Sequence, residues 1–347
     1  MLSSSGRSHK DSRLRGGKDI KRGQVITCLN IVHLDSDSIG PGIALNRPTC
    51  EHRWTSYAQS EEADIVARLA EADIAIVNKI GLDAQTLARL PALRMIAVSA
   101  TGYDRIDVDA CLERGIVVSN VRGYAGNTVP EHTFALMHSL RRGLKGCLAD
   151  VSEGKWQQSR QFCLFNQPVG DLHGSTLGLI GSGTIGGAVG RIAEAFSMRV
   201  VRAARKGTGD VPAGYTTFDQ VIEQSDVISL HCPLTPETAG LIAAPEFARM
   251  KKSTILINTS RGGLVDEHDL IAALDSGLIA GAAFDVVSSE PPPPDHVFLQ
   301  HLERPNFILT PHVGWSSLDA RQALWDQLIG HIDSFADGWP SNNVCEG

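Results

Sequence analysis

The stretch Leu177-Gly178-Leu179-Ile180-Gly181-Ser182-Gly183-Thr184-Ile185-Gly186 decides the fold. Its apolar first part reads as a buried strand. Ile185, Ala188, Val189, Ile192, Ala193 and Phe196 then recur at helical spacing. Between the two lies Gly-x-Gly-x-x-Gly. A glycine pattern alone is weak, and some other α/β loop could carry it. A strand before it and an amphipathic helix after it select the dinucleotide turn. There, two glycines permit a tight turn against a pyrophosphate, and the third lets the helix pack on the strand. Free N–H groups at the helix start face the anion.

Outward from this turn, strand-like and helix-like runs alternate. On the N-terminal side the strands are Ile74–Val77, Arg94–Val98 and Ile116–Val118, with helices over Asp83–Leu90 (stopped by Pro91) and Val108–Arg114. On the C-terminal side, Arg199–Val201, Val227–Leu230, Thr254–Ile257, Ala282–Phe284 and Phe307–Leu309 are short apolar runs bounded by turn residues. This alternation predicts an α/β protein with two doubly wound, parallel-sheet (Rossmann-type) domains and a cleft between them. A long helix is expected from Val129 towards Leu148. Pro291–Pro294 reads as a stiff surface connection. Trp325, Leu328, Ile332 and Phe335 form one helical stripe that needs a partner beyond the nucleotide unit. The expected organisation is therefore a basic tail over 1–22, a discontinuous substrate domain over 23–125 and 316–347, and a dinucleotide domain over 126–315. Folded structure is expected to begin near Val25.

The chain of 347 residues carries a formal charge of −7, which gives no reason to expect nucleic-acid binding, and no apolar run approaches a membrane span. Seven scattered cysteines, without Cys-x-x-Cys or a His/Cys cluster, predict reduced thiols in a cytoplasmic protein and no metal site. The first 22 residues hold seven basic residues against two acidic ones and few apolar ones, the composition of a disordered tail.

Three later segments carry chemistry: Ile257-Asn258-Thr259-Ser260-Arg261-Gly262-Gly263-Leu264-Val265-Asp266-Glu267, Ala283-Phe284-Asp285-Val286-Val287-Ser288-Ser289-Glu290-Pro291 and Ile308-Leu309-Thr310-Pro311-His312-Val313-Gly314. Each begins in a strand and ends in a loop at the carboxyl edge of the sheet, where open α/β sheets place their crevice. Singly, Arg261 reads as a surface ion-pair member, Glu290 as a solvated acid and His312 as a cap. Together they supply what hydride transfer to a 2-keto acid needs. A guanidinium grips the carboxylate, and an imidazole gives a proton to the carbonyl oxygen. A carboxylate on the other ring nitrogen fixes the tautomer and favours the protonated ring.

On these segments and the glycine turn, the chain from about Gln24 to its end resembles the D-isomer-specific 2-hydroxyacid dehydrogenases. The resemblance implies Arg261, Glu290 and His312 as the catalytic residues. It implies a substrate-carboxylate loop at Ala100, Thr101 and Gly102, joined by Arg261. It implies cofactor contacts at Thr128, Gly181, Gly183, Thr184, Ile185, Gly186, Cys232, Pro233, Thr259, Asp285 and Gly314, with Asp285 on the nicotinamide carboxamide. It further implies a homodimer built around about Asn127 to Pro168. Asn78-Lys79, Gly123–Gly126, Gln161–Phe165 and Trp315 are similar to the hydroxypyruvate reductase (glycerate dehydrogenase) branch, so hydroxypyruvate is the favoured substrate and glyoxylate the next. Two positions depart from the family: Pro130 for a small residue, expected to be harmless in a first helical turn, and Ser197 for a glycine, expected to be neutral.

Glu290 speaks against the formate dehydrogenases, which resemble this pattern with glutamine. A 3-phosphoglycerate dehydrogenase, another 2-hydroxyacid dehydrogenase and a dinucleotide-sensing corepressor-like protein remain as alternatives. Cofactor preference is read from residues. An NAD site places an acid about twenty residues past the turn. That position falls on Ala204, and Arg205 and Lys206 follow it. NADP(H) is therefore favoured over NAD(H), with both cations on the 2′-phosphate.

Overall fold

The computed structural model describes residues 28–346. The basic tail and the expected start near Val25 lie outside the described residues. Among the described residues there are eleven strands in two sheets. The first sheet contains β1 (Leu29–His33), β2 (His52–Ser56), β3 (Ile74–Val77), β4 (Met95–Val98) and β5 (Val117–Asn120) in the order β2-β1-β3-β4-β5. The second contains β6 (Thr176–Ile180), β7 (Arg199–Arg202), β8 (Val227–Leu230), β9 (Ile255–Asn258), β10 (Gly281–Phe284) and β11 (Phe307–Leu309) in the order β11-β10-β9-β8-β6-β7.

Every ladder is parallel. The inner strands are buried along their whole length except at Asn30 of β1, because helices cover both faces of a parallel sheet. In each sheet the winding reverses once, between β1 and β3 and between β6 and β8. A crevice opens beyond the strand ends at such a reversal. β1 and β2 escape the sequence reading, since β2 is a half-exposed edge strand with the polar sequence His-Arg-Trp-Thr-Ser.

Two expectations change. The helix expected from Val129 to Leu148 is two helices, Thr128–Arg141 and Leu144–Ser152, because Gly143 between them is left-handed (φ 58°). The first packs Phe134, Leu136 and Met137 into the core beneath β6, β9 and β10. Pro130 sits in its first turn, where its missing N–H has no intrahelical acceptor to lose, and the helix runs on undisturbed. Ser197 is not neutral. It adopts φ 59° just past the helix Thr184–Ala195, a conformation that costs a side-chain-bearing residue about 1 kcal/mol relative to glycine. The helix expected over Asp83–Leu90 spans only Ala84–Leu87, capped by the Asp83 carboxylate on the Thr86 amide (2.7 Å).

The last long helix, Leu318–Ala336, returns to the first sheet. Its Leu324, Trp325, Leu328 and Ile332 pack against Ile31, Ile74, Ile76 and Met95. The polypeptide therefore crosses between the sheets twice, and the two strand-end edges face a common cleft.

Candidate active site

A cleft of about 420 Å³ separates the sheets. Ala100, Thr101 and Gly102 line it from the first sheet; Arg261, Glu290 and His312 line it from the second. The second-sheet residues follow β9, β10 and β11, three adjacent strands, so their meeting is a consequence of sheet order.

His312 Nδ1–H donates to Glu290 Oε2 at 2.6 Å. Glu290 Oε1 accepts the Val287 amide at 3.2 Å, which holds the carboxylate in place. Burial would raise the Glu290 pKa, but the hydrogen bond and charge of His312, with the Val287 amide and Lys79, outweigh it and hold it below the usual glutamate value. With Nδ1 engaged, Nε2 is the ring nitrogen left for a substrate.

His312 has φ 54°, a left-handed backbone that a histidine adopts only under constraint. The constraint is Asp285. Its carbonyl accepts the His312 amide (2.8 Å), and its carboxylate accepts the amides of Val313 (2.9 Å) and Gly314 (2.7 Å) and the Thr310 hydroxyl (2.5 Å). His132 Nε2 stands 3.4 Å from the same carboxylate. Burial opposes charge at Asp285, yet these donors leave its pKa lowered. The sequence reading gave Asp285 to the cofactor alone and missed both this clamp and His132. The signal was available in the short Asp285 and Thr310–Gly314 segments, but their contact is not local.

Across the cleft, the carbonyls of Ala100 and Thr101 accept Val121 N (3.1 Å) and Asn120 Nδ2 (2.7 Å). Among the described residues, the amides of Ala100, Thr101 and Gly102 donate to no protein group. Three backbone donors without acceptors beside a guanidinium suit a carboxylate. The loop passes so close to Arg261 that a Cβ on Gly102 would stand 2.9 Å from Nη2. The Arg261 backbone is pinned by Asn258 Nδ2 on its carbonyl (2.8 Å), and its Nη1 donates to the Ser260 carbonyl (2.8 Å). Lys79, Arg105, Tyr124 and Trp315 complete this side of the cleft. Burial pushes the Tyr124 phenol up to about 12, so it stays a neutral hydrogen-bonding group.

The glycine turn lies at the β6/β8 reversal. Gly181 has φ 96°, and a Cβ there would meet the Cys232 amide at 2.5 Å. Nothing stands within 4 Å of a Cβ built on Gly183, and no side chain caps the helix that begins at Thr184. An open turn with uncapped amides fits a dinucleotide pyrophosphate. Cys232 and Pro233 follow β8 beside this turn. Ile185, Thr259 and Asp285 line the cleft itself, and Thr128 Oγ1 donates to the Gly314 carbonyl (3.2 Å).

One expectation about the adenosine end does not survive in full. Lys206 Nζ is bound to Glu246 Oε1 (2.8 Å) and the Leu241 carbonyl (3.1 Å). Glu246 is buried and needs that counter-charge, so Lys206 is committed to it. Arg205 is exposed, one residue past Ala204, and makes no ion pair among the described residues.

Residues 134–314 match the family described as D-isomer specific 2-hydroxyacid dehydrogenase, NAD binding domain. The chain belongs to that family. A glycerate dehydrogenase of Methylorubrum extorquens is 44% identical over 318 residues, covering 90% of this chain and 98% of the relative. A hydroxypyruvate reductase of Blautia hydrogenotrophica is 36% identical, covering 91% and 97%. An acyclic imino acid reductase solved with NADPH and D-Arg superposes with a TM-score of 0.75 at 26% identity, covering 91% and 100%. The protein is thus an oxidoreductase, a 2-hydroxyacid dehydrogenase with an NAD-binding Rossmann domain. Among the described residues no helix is long and apolar enough to cross a membrane, and no cluster of residues could hold a metal ion.

Proposed function

We propose that this dehydrogenase reduces a small 2-keto acid to the D-2-hydroxy acid, hydroxypyruvate first and glyoxylate next, with NADPH preferred over NADH. The observation that carries the reading is the His312–Glu290 pair facing Arg261 and three free amides across one cleft. Arg261 and the amides of Ala100–Gly102 hold the substrate carboxylate. His312 Nε2 then lies with its proton towards the carbonyl oxygen, and Glu290 stabilises the charged ring until the proton leaves. The bound nicotinamide supplies the hydride. The residues to hold it are Thr128, Thr259, Asp285 and Gly314. Gly181, Gly183, Thr184, Ile185 and Gly186 cradle the pyrophosphate, beside Cys232 and Pro233.

The small substrate is supported by the glycerate dehydrogenase and hydroxypyruvate reductase relatives. The NADPH preference rests on Ala204 and Arg205: no acid repels a 2′-phosphate, and an exposed guanidinium can clasp it. Exposed Leu148, Val151, Trp156, Phe162 and Phe165 support a homodimer built around about Asn127 to Pro168. The seven cysteines are free thiols, which suits the cytoplasm.

Steady-state oxidation of NADPH and NADH across hydroxypyruvate, glyoxylate, pyruvate and phenylpyruvate tests the reading. The highest kcat/KM is expected with hydroxypyruvate and NADPH. Preference for phenylpyruvate breaks the substrate assignment, and preference for NADH breaks the role of Arg205. Ala204→Asp with Arg205→Ser should lower the NADPH:NADH ratio by about tenfold or more, the scale of one lost charge-assisted contact.

A further inference from the structure

The chain that leads from β10 to Glu290 leaves the sheet and is exposed at Ser288 and Ser289. Two tethers hold it. Val287 runs so close to the Arg261 loop that a Cβ on Gly262 would collide with the Val287 backbone. The second tether is Glu267, which grips Ser288. Glu267 Oε1 accepts the Ser288 amide (2.7 Å), and Oε2 accepts the Ser288 hydroxyl (2.8 Å).

Glu267 is itself fixed. It is the first residue of the helix Glu267–Asp275, whose start is set by the Asp266 carboxylate on the amides of His268 (3.1 Å) and Asp269 (3.0 Å). The Glu267 side chain is 10% exposed. Its Oε2 stands 2.9 Å from Nε2 of buried His296, off the line of a hydrogen bond. His296 Nδ1 accepts the Phe298 amide (3.3 Å), so the ring proton is on Nε2 and faces the carboxylate. Phe298 is fully buried and meets Phe284 of β10 edge to face at 5.2 Å. The anchor therefore leads back to the core beneath the sheet.

A carboxylate withdrawn from water is costly unless it is hydrogen-bonded. Glu267 spends both oxygens on one exposed loop residue, two positions before Glu290. Accepting an amide and a hydroxyl from the same residue fixes its backbone as well as its side chain. We propose that Glu267 is a positioning residue, which fixes Ser288 so that the Glu290 carboxylate stays on His312 Nδ1. The connection that follows β9 carries both Arg261 and Glu267. The stretch that places the guanidinium thus also places the Glu290 loop, and the two sides of the reacting site keep one spacing. This inference rests on the proposed role of the His312–Glu290 pair.

The test compares Glu267→Ala, Glu267→Asp and Glu267→Gln in the full chain, by steady-state nucleotide oxidation with the keto acid of highest kcat/KM. Aspartate keeps the charge but is one methylene short of Ser288. Glutamine keeps the length and an acceptor but loses the charge. Glu267→Ala and Glu267→Asp should lower kcat by about three- to tenfold, with keto-acid KM and nucleotide affinity within about twofold of native. Glu267→Gln should hold kcat within about twofold of native. In a Glu290→Gln background, Glu267→Asp should cost less than about twofold, since the charge it positions is gone. Aspartate keeps a carboxylate for His296, so this variant carries the test if Glu267→Ala does not fold. Native kcat in Glu267→Asp overturns the inference. So does a greater loss with glutamine than with aspartate, a loss seated in KM, or an undiminished loss in the Glu290→Gln background. A silent Glu290→Gln breaks the role of the pair and this inference with it. A damaging Glu290→Gln beside a silent Glu267→Asp breaks the positioning alone.

Discussion

The six-stranded and five-stranded sheets face the same cleft but contribute different kinds of chemistry. The six-stranded half offers side chains: Arg261, Glu290 and His312 from three neighbouring strand ends. The five-stranded half offers mainly backbone, the free amides of Ala100–Gly102, and a rim of longer side chains such as Lys79. Reacting groups need fixed geometry, and loops leaving adjacent buried strands provide it. Discrimination between small acids needs only a few adjustable contacts. Under the proposed function, the six-stranded half carries rate and the five-stranded half carries selectivity.

The largest expected effect comes from the six-stranded half. His312→Ala or Arg261→Ala should lower turnover by at least about a hundredfold while cofactor binding, followed by nucleotide fluorescence, persists. Near-normal turnover in either variant breaks the division at its strongest point.

Glu290→Gln comes next. Burial opposes charge at Glu290, but the His312 hydrogen bond and charge hold its pKa below the usual glutamate value, so a negative charge sits 2.6 Å from the ring. Neutral glutamine keeps a hydrogen-bonding group there but removes the charge, so turnover should fall by about tenfold and its pH dependence should change. An unchanged pH–rate profile would show that the 2.6 Å contact has no functional consequence.

On the five-stranded half, Lys79→Met should change KM by about three- to tenfold and alter the hydroxypyruvate:glyoxylate ratio, with kcat nearly retained. Burial lowers the Lys79 pKa, although Glu290 nearby opposes this. A collapse in kcat instead would place chemistry on the wrong half.

The smallest effect sharpens the comparison by touching neither edge of the cleft. Ser197→Gly relieves a left-handed backbone far from the reacting groups. It should stabilise the fold by about 1 kcal/mol and leave kinetics unchanged, as thermal denaturation and a rate assay would report. An unchanged or lower melting temperature would mean that Ser197 carries no strain.

The sequence by itself determined the two parallel sheets, the glycine turn and the three side chains, Arg261, Glu290 and His312, that meet in one cleft. These are local patterns: a short apolar run between turn residues has few alternatives to a buried strand, and each motif keeps its chemistry within about ten residues. Even Val108–Arg114 was legible to its ends, because Asp107 caps it and Gly115 closes it. What only the tertiary structure decided are contacts between segments distant in the chain. The Lys206 ammonium had a nearer use on buried Glu246, some forty residues away. Asp285 proved to be the clamp on the His312 loop, and β2 is a strand although its sequence is polar, since it pairs along β1. The break at Gly143 and the strain at Ser197 turn on backbone angles that composition does not reveal. In each case the deciding energy comes from a partner brought near by the sheets, and local propensity carries no record of that partner.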